Sequence, residues 1–169
     1  MRSLLSFCCG NLLLLLLVLP HVVSAQIDKA VKWKDTFPAN TSLNIGDEIT
    51  LVFEATIQKG YHIYSAKQPA EFVLPATFEL SKTAVGVKAI GALTEAGNRE
   101  VIYDDVFGAN VALFHNKVTF YQKVKITSAN VRLSGTLLYQ VCDVQQCLPG
   151  SHTFSLALKA AAVTAQKRK

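Results

Sequence analysis

The sequence contains no apolar run long enough to cross a membrane. A spanning helix needs roughly 20 apolar residues, and the longest unbroken run here, Leu12 to Leu19, has eight. Charge of one sign is also scarce. Seventeen Lys and Arg stand against twelve Asp and Glu, and the only basic cluster is Lys167-Arg168-Lys169 at the end. Without a basic face interleaved with aromatics, nucleic acid is not an expected partner. There is one tryptophan, Trp33, so the Cys…Trp…Cys spacing of antibody domains is absent. His62, His115 and His152 lack metal-ligand spacing, and two cysteines without a partnered histidine make a poor zinc site, so neither metal nor cofactor is expected. No stretch keeps a 3.6-residue apolar period, which argues against helices. Charged residues are only 17% and hydrophobic ones 50%, and this excludes a disordered chain.

The first 25 residues read as an export signal. Arg2 gives a positive start, Pro20 ends the apolar run, and Val23-Ser24-Ala25 offers the small residues that signal peptidase accepts. Cys8 and Cys9 precede the apolar run instead of following it, which argues against lipidation. Cleavage after Ala25 removes both and leaves Cys142 and Cys147 alone. The expected organisation is a signal peptide over 1–25, one domain over 26–159 and a basic, disordered tail over 160–169, with no membrane anchor once the signal is gone.

Period two recurs through the remaining chain. Ile49, Leu51, Phe53, Ala55 and Ile57 alternate with Thr50, Glu54 and Thr56. Val118, Phe120, Val124 and Ile126 alternate with Thr119, Tyr121, Lys123, Lys125 and Thr127, and Val131 to Val141 and Phe154 to Leu158 behave alike. Weaker candidates cover Tyr61 to Tyr64, Phe72 to Leu80, Val87 to Leu93 and Val111 to Phe114. Turn chemistry separates them at Asn44 to Asp47, Lys59-Gly60, Glu95 to Asn98, Asp104 to Asn110 and Leu148 to Ser151. About eight short half-apolar strands at this spacing predict an all-β fold, an immunoglobulin-like antiparallel β-sandwich.

Two lone cysteines five positions apart in an exported domain are expected to be joined. Extending the alternation of Val131–Val141 by one residue puts Cys142 on the face of Arg132, Ser134, Thr136 and Gln140, away from the apolar interior and toward solvent. Asp143-Val144-Gln145-Gln146 is a plausible hairpin loop, with Cα atoms near the ~5.5 Å usual for a disulfide. So short a loop gains little from closure, less than the ~3 kcal/mol of a 15-residue one. Parity and spacing leave two readings open: an exchange-active pair, or a disulfide that only pins a hairpin in a non-catalytic binding or assembly module.

Tyr139-Gln140-Val141-Cys142-Asp143-Val144-Gln145-Gln146-Cys147-Leu148-Pro149 resembles the cysteine hairpin of the N-terminal periplasmic domain of the DsbD thiol:disulfide interchange family. Gly60-Tyr61-His62-Ile63-Tyr64-Ser65 is similar to that family's aromatic strand, and Asp104-Asp105-Val106-Phe107-Gly108 to its cap loop. The resemblance runs from about Val31 to Leu158. It implies a periplasmic thiol:disulfide oxidoreductase domain, with a link to cytochrome c biogenesis. Its donor would be a thioredoxin-like protein or a membrane thiol reductase, and its acceptors oxidised periplasmic proteins. By the same resemblance Cys147 forms the mixed disulfide and Cys142 resolves it. Tyr61 and Tyr64 line a shared pocket with hydroxyls near the sulfurs, and the loop Asp104, Asp105, Val106, Phe107 covers the pair. The family's first aromatic cap position is Val106 here and Phe107 follows, which leaves open which of them is the lid. Asp143 beside Cys142 disfavours a thiolate there. The sequence as given has no later membrane segment and no C-x-x-C, and the expectation is either a detached acceptor domain served by a separate membrane partner or a relative that keeps the fold for another purpose.

Overall fold

A computed structural model describes residues 27–38, 43–69, 73–105 and 107–161. The expected signal peptide, Val106 and residues 162–169 of the tail lie outside them.

After a single helical turn at residues 27–30, nine strands make up most of the described chain: β1 (Val31–Thr36), β2 (Leu43–Asn44), β3 (Glu48–Ile57), β4 (His62–Tyr64), β5 (Thr77–Leu80), β6 (Val87–Asp104), β7 (Ala109–Ile126), β8 (Asn130–Cys142) and β9 (Cys147–Ala161). The fold is the expected immunoglobulin-like sandwich. Its two layers are not separate sheets, because hydrogen bonding continues along β1-β3-β7-β4-β8-β9-β2, with β5 added on β8 and β6 on β7. The three-residue β4 joins the layers, pairing β7 on one side and β8 on the other. All pairs are antiparallel except β2 with β9, where Leu43–Asn44 run parallel to Ala160–Ala161. β9 therefore continues two residues past the boundary expected at 159.

The alternation that reads as strand in the sequence is what packs the interior. On β3, Leu51, Phe53 and Ala55 are fully buried while Thr50 and Thr56 are exposed. They face Val118, Phe120, Val124 and Ile126 of β7 and Val131, Leu133, Leu137 and Val141 of β8 in one main core. Phe53 touches the rings of Phe37, Phe78 and Phe154. Trp33 of β1 closes the cluster, donating through Nε1 to Tyr139 Oη at 3.2 Å and stacking on His152.

Three expectations change. Leu148 to Ser151 is not a turn but the start of β9, paired with Leu138 to Val141 of β8. Val111–Phe114 and residues 118–126 belong to one strand, β7, which passes through Asn116 in the left-handed region (φ 62), a conformation that Asn tolerates. Glu95 to Asn98 is not a turn but the middle of β6, which pairs β7 almost throughout, with register shifts between Ile90 and Thr94 and between Gly97 and Arg99. Glu95 is well partnered there. The Glu95 carboxylate accepts from Ser65 Oγ at 2.5 Å and from the Ala66 amide at 2.7 Å. Gln68 bonds both backbone groups of Ala112, so the segment after β4 is held against β7.

Candidate functional site at the cysteine hairpin

The β8–β9 ladder ends on the pair Cys142↔Cys147. The next pair inward to the loop carries a backbone bond, Asp143 N to Gln146 O at 3.0 Å. The cysteines therefore occupy a non-hydrogen-bonded position, where opposed side chains lie closest. They are joined by a disulfide, with Cα atoms 4.0 Å apart, closer than the sequence expectation. Asp143 shapes the loop: its Oδ1 accepts from the amides of Gln145 at 2.8 Å and Gln146 at 2.9 Å. Those two bonds hold its carboxyl below the ordinary carboxylate range, with His62 a smaller contributor in the same direction.

The two sulfurs have unlike surroundings. Parity places Cys142 opposite to the main core, as the alternation of β8 requires, but that face is not open to solvent there. Cys142 is 1% exposed, within a second buried cluster of Tyr64, Val73, Val111 and Leu113, with Phe107 packed against it. The expectation of a solvent-facing Cys142 is thereby corrected: β4, β7 and the segments around residues 73 and 107 cover the outward face of β8 at this end. Cys147 is exposed.

Tyr64 links the two halves of the site. Its ring is buried beside Cys142, and its Oη lies 4.0 Å from Cys147 Sγ. A disulfide sulfur carries no proton, so the phenol is the donor. Burial, and then the charge of Asp104, raise the Tyr64 pKa, and the hydroxyl stays protonated. Tyr61 does not share this pocket; it packs against the main core on the side of Ile63, as its opposite parity requires. Its carbonyl accepts from His115 Nδ1 at 3.1 Å.

The loop between β6 and β7 brings Phe107 to the site, where its ring meets that of Tyr64 edge-on with centroids 6.4 Å apart. Asp104 holds the loop in shape, its Oδ1 accepting from the Phe107 amide at 3.2 Å, as Asp does at the start of turns. Asp105 is exposed on the same loop.

Sequence reasoning missed His62, weighed there only as a metal ligand. It pairs directly with Cys142 across β4 and β8, and its ring touches Tyr64 (5.3 Å) and His115 (5.6 Å). Burial lowers its pKa below the ordinary 6.5, His115 adds to the lowering, and Asp104 and Asp143 oppose it. Alternation in Tyr61–Tyr64 could have found it, because His62 shares the face of Tyr64. Among the described residues no group of three or more His, Cys, Asp or Glu is arranged to hold a metal ion. No helix among them is long and apolar enough to cross a membrane.

The family described as the N-terminal part of thiol:disulfide interchange protein DsbD matches residues 28–159. Compared with individual curated proteins, the chain matches none. Among solved structures it is similar to the N-terminal periplasmic domain of ScsB from Proteus mirabilis, at 13% identity and a TM-score of 0.55. That match covers 78% of this chain and 48% of the ScsB structure, so the chain spans about half that length. It is also similar to the Neisseria meningitidis DsbD N-terminal domain in its reduced form, at 17% identity and a TM-score of 0.49, over 79% of this chain and 89% of that one. At such identities the ScsB likeness speaks for the fold alone. The family match covers most of the chain and includes both cysteines, so this protein belongs to the family of DsbD N-terminal domains, a family of thiol:disulfide interchange.

Proposed function

We propose that this chain is a periplasmic exchange domain that passes electrons from a thioredoxin-like donor, or a membrane thiol reductase, to oxidised envelope proteins through Cys142 and Cys147. The observation that carries this reading is the asymmetry of the disulfide: Cys147 is exposed and Cys142 is 1% exposed. An incoming thiolate needs access to one sulfur and a leaving group at the other.

In the first half-reaction a donor thiolate attacks Cys147 Sγ, the bond to Cys142 breaks, and the Cys142 sulfur leaves and takes up a proton. The donor's second thiol then attacks its own sulfur in the mixed disulfide and releases Cys147, which completes a two-electron reduction. In the second half-reaction the Cys147 thiolate attacks an oxidised protein. Cys142 then attacks Cys147, re-forms the internal disulfide and frees the acceptor as a dithiol. The Tyr64 hydroxyl is placed to donate to the Cys147 thiolate, which favours the charged form. Phe107 acts as a lid over the buried sulfur, held by Asp104.

Trapping tests the assignment. Cys142→Ser leaves an exposed nucleophile that nothing resolves, so mixed disulfides with envelope proteins accumulate; Cys147→Ser leaves only a buried thiol and traps few. Equal trapping by the two variants contradicts these roles. No trapping by either favours the alternative, a disulfide that merely pins the hairpin of a binding module.

A further inference from the structure

Cys142 meets a difficulty that Cys147 does not. Its sulfur is packed among Tyr64, Val73, Val111 and Leu113, and apolar burial holds a thiol in its protonated form. The anionic Asp143, next along the chain, acts in the same direction. Yet the nucleophile in exchange is the thiolate. The proton on Cys142 needs an acceptor on the buried face of the hairpin.

His62 is the residue directly opposite. Opposed residues on one face of an antiparallel pair have Cβ atoms about 4.5–5.5 Å apart, and His62 pairs with Cys142 in the β4–β8 register. The ring touches Tyr64 of its own strand and lies half-buried on that face. Other titratable groups face it from every side: His115 from β7, Asp104 from the end of β6, Asp143 from the hairpin loop and Cys142 from β8. Burial and His115 together favour a neutral imidazole, which has the lone pair that an acceptor needs. The neighbouring aspartates then stabilise the imidazolium formed by the transfer. His115 itself is oriented by its Nδ1 bond to the Tyr61 carbonyl.

We propose that His62 accepts the proton of the Cys142 thiol as Cys142 resolves a mixed disulfide on Cys147. This rests on the exchange reading above and assigns the acid–base partner that it lacks. In the step, the Cys142 S–H proton passes to the imidazole and the sulfur's electron pair forms the bond to Cys147 Sγ. The bond from Cys147 to the partner breaks, and the partner leaves as a thiolate. His62 then returns its proton to that thiolate or to water, and two electrons have moved to the partner.

The test uses the reduced full-length chain carrying Cys8→Ser and Cys9→Ser, so that only the hairpin thiols react, mixed rapidly with dithiobis-nitrobenzoate. One coloured thiolate is released when Cys147 attacks and a second when Cys142 resolves. His62→Gln is expected to slow the second release about a hundredfold, within the usual range for a lost acid–base group, and to leave the first unchanged. Imidazole added to the buffer is expected to restore part of the rate. In the chain with His62 intact, the second rate is expected to rise with pH through an inflection below the ordinary histidine value of 6.5. That profile decides the matter even if His62→Gln does not fold. A second release untouched by His62→Gln, or a profile without that inflection, overturns the proposal while leaving exchange intact. Absence of the first release with His62 intact overturns the exchange reading, and this proposal falls with it.

Discussion

Tyr64 Oη lies 4.0 Å from the sulfur of Cys147, an exposed residue, while the Tyr64 ring is buried against Cys142. One side chain thus serves both ends of the disulfide by different means, a polar tip at one and an apolar body at the other. The two contributions separate by substitution. Tyr64→Phe keeps the packing and removes the donor, so the fold persists, the Cys147 thiol pKa rises and its alkylation at neutral pH slows. Tyr64→Ala also empties the second cluster, at a cost of about 3–5 kcal/mol by the precedent of buried aromatics, read from denaturant unfolding. Equal alkylation rates for the native and Tyr64→Phe proteins would remove the hydroxyl from the chemistry.

Phe107 packs against the cluster that holds Cys142 and meets Tyr64 edge-on. If it is the lid, Phe107→Ala exposes the disulfide and speeds its reduction by small thiols several-fold, while thermal stability changes little. An unchanged rate takes Phe107 out of that role.

Gly150 lies opposite Tyr139 in the β8–β9 ladder, and a Cβ there would sit 2.4 Å from Tyr139 Cζ. Gly150→Ala must therefore displace a ring whose hydroxyl accepts from Trp33. The expected result is a lower melting temperature and a shifted emission from Trp33, the sole tryptophan, by fluorescence. Overpacking of this kind costs about 1–3 kcal/mol. Native-like melting and emission would show that the ring has room to move.

Two groups at the cysteine hairpin give stability separate pH dependences, beside the lowered Glu54 of β3. His62 titrates lower in the folded chain than its ordinary 6.5, so between the two values the unfolded chain binds more protons. Stability from this source is complete above 6.5 and is lost as pH falls toward the folded value. Asp143 is also held below its ordinary 3.8, so its contribution is present above 3.8 and disappears as pH falls through the lowered value. Melting curves recorded across both windows check this. His62→Gln should flatten the upper dependence and Asp143→Asn the lower one. A variant that leaves its own window unchanged contradicts the assignment.

The sequence discloses most clearly those parts of this molecule where one face of a strand is wet and the other dry. β3 alternates cleanly because it is buried on one side only; the apolar residues of β8 alternate in the sequence as well, and the cysteine hairpin follows from extending β8, although its outward face is covered at that end. β1 is harder to read, since Lys32, Lys34 and Asp35 dilute a strand of six residues. The second half of β6 lies at an edge and leaves Val101, Ile102 and Tyr103 exposed, so no two-residue period survives there. The second cluster was illegible for a different reason. Parity correctly turns Cys142 away from the main core. Which residues then cover it depends on how β4, β7 and the Phe107 loop meet, and residues from 64 to 142 contribute. Alternation puts His62 on the face of Tyr64, but its place opposite Cys142 follows from a register between two distant strands.

The most direct measurement is the reduction potential of the Cys142–Cys147 pair, obtained by equilibrating the purified protein with thiol buffers of known poise. Structural disulfides fall below about −300 mV, and exchange-active ones lie higher. A value well above that limit, with ready reduction by a thioredoxin-like protein, is what an exchange domain predicts. A value below it, with sulfurs that resist reduction while the chain stays folded, would contradict the account and leave a family fold without its chemistry.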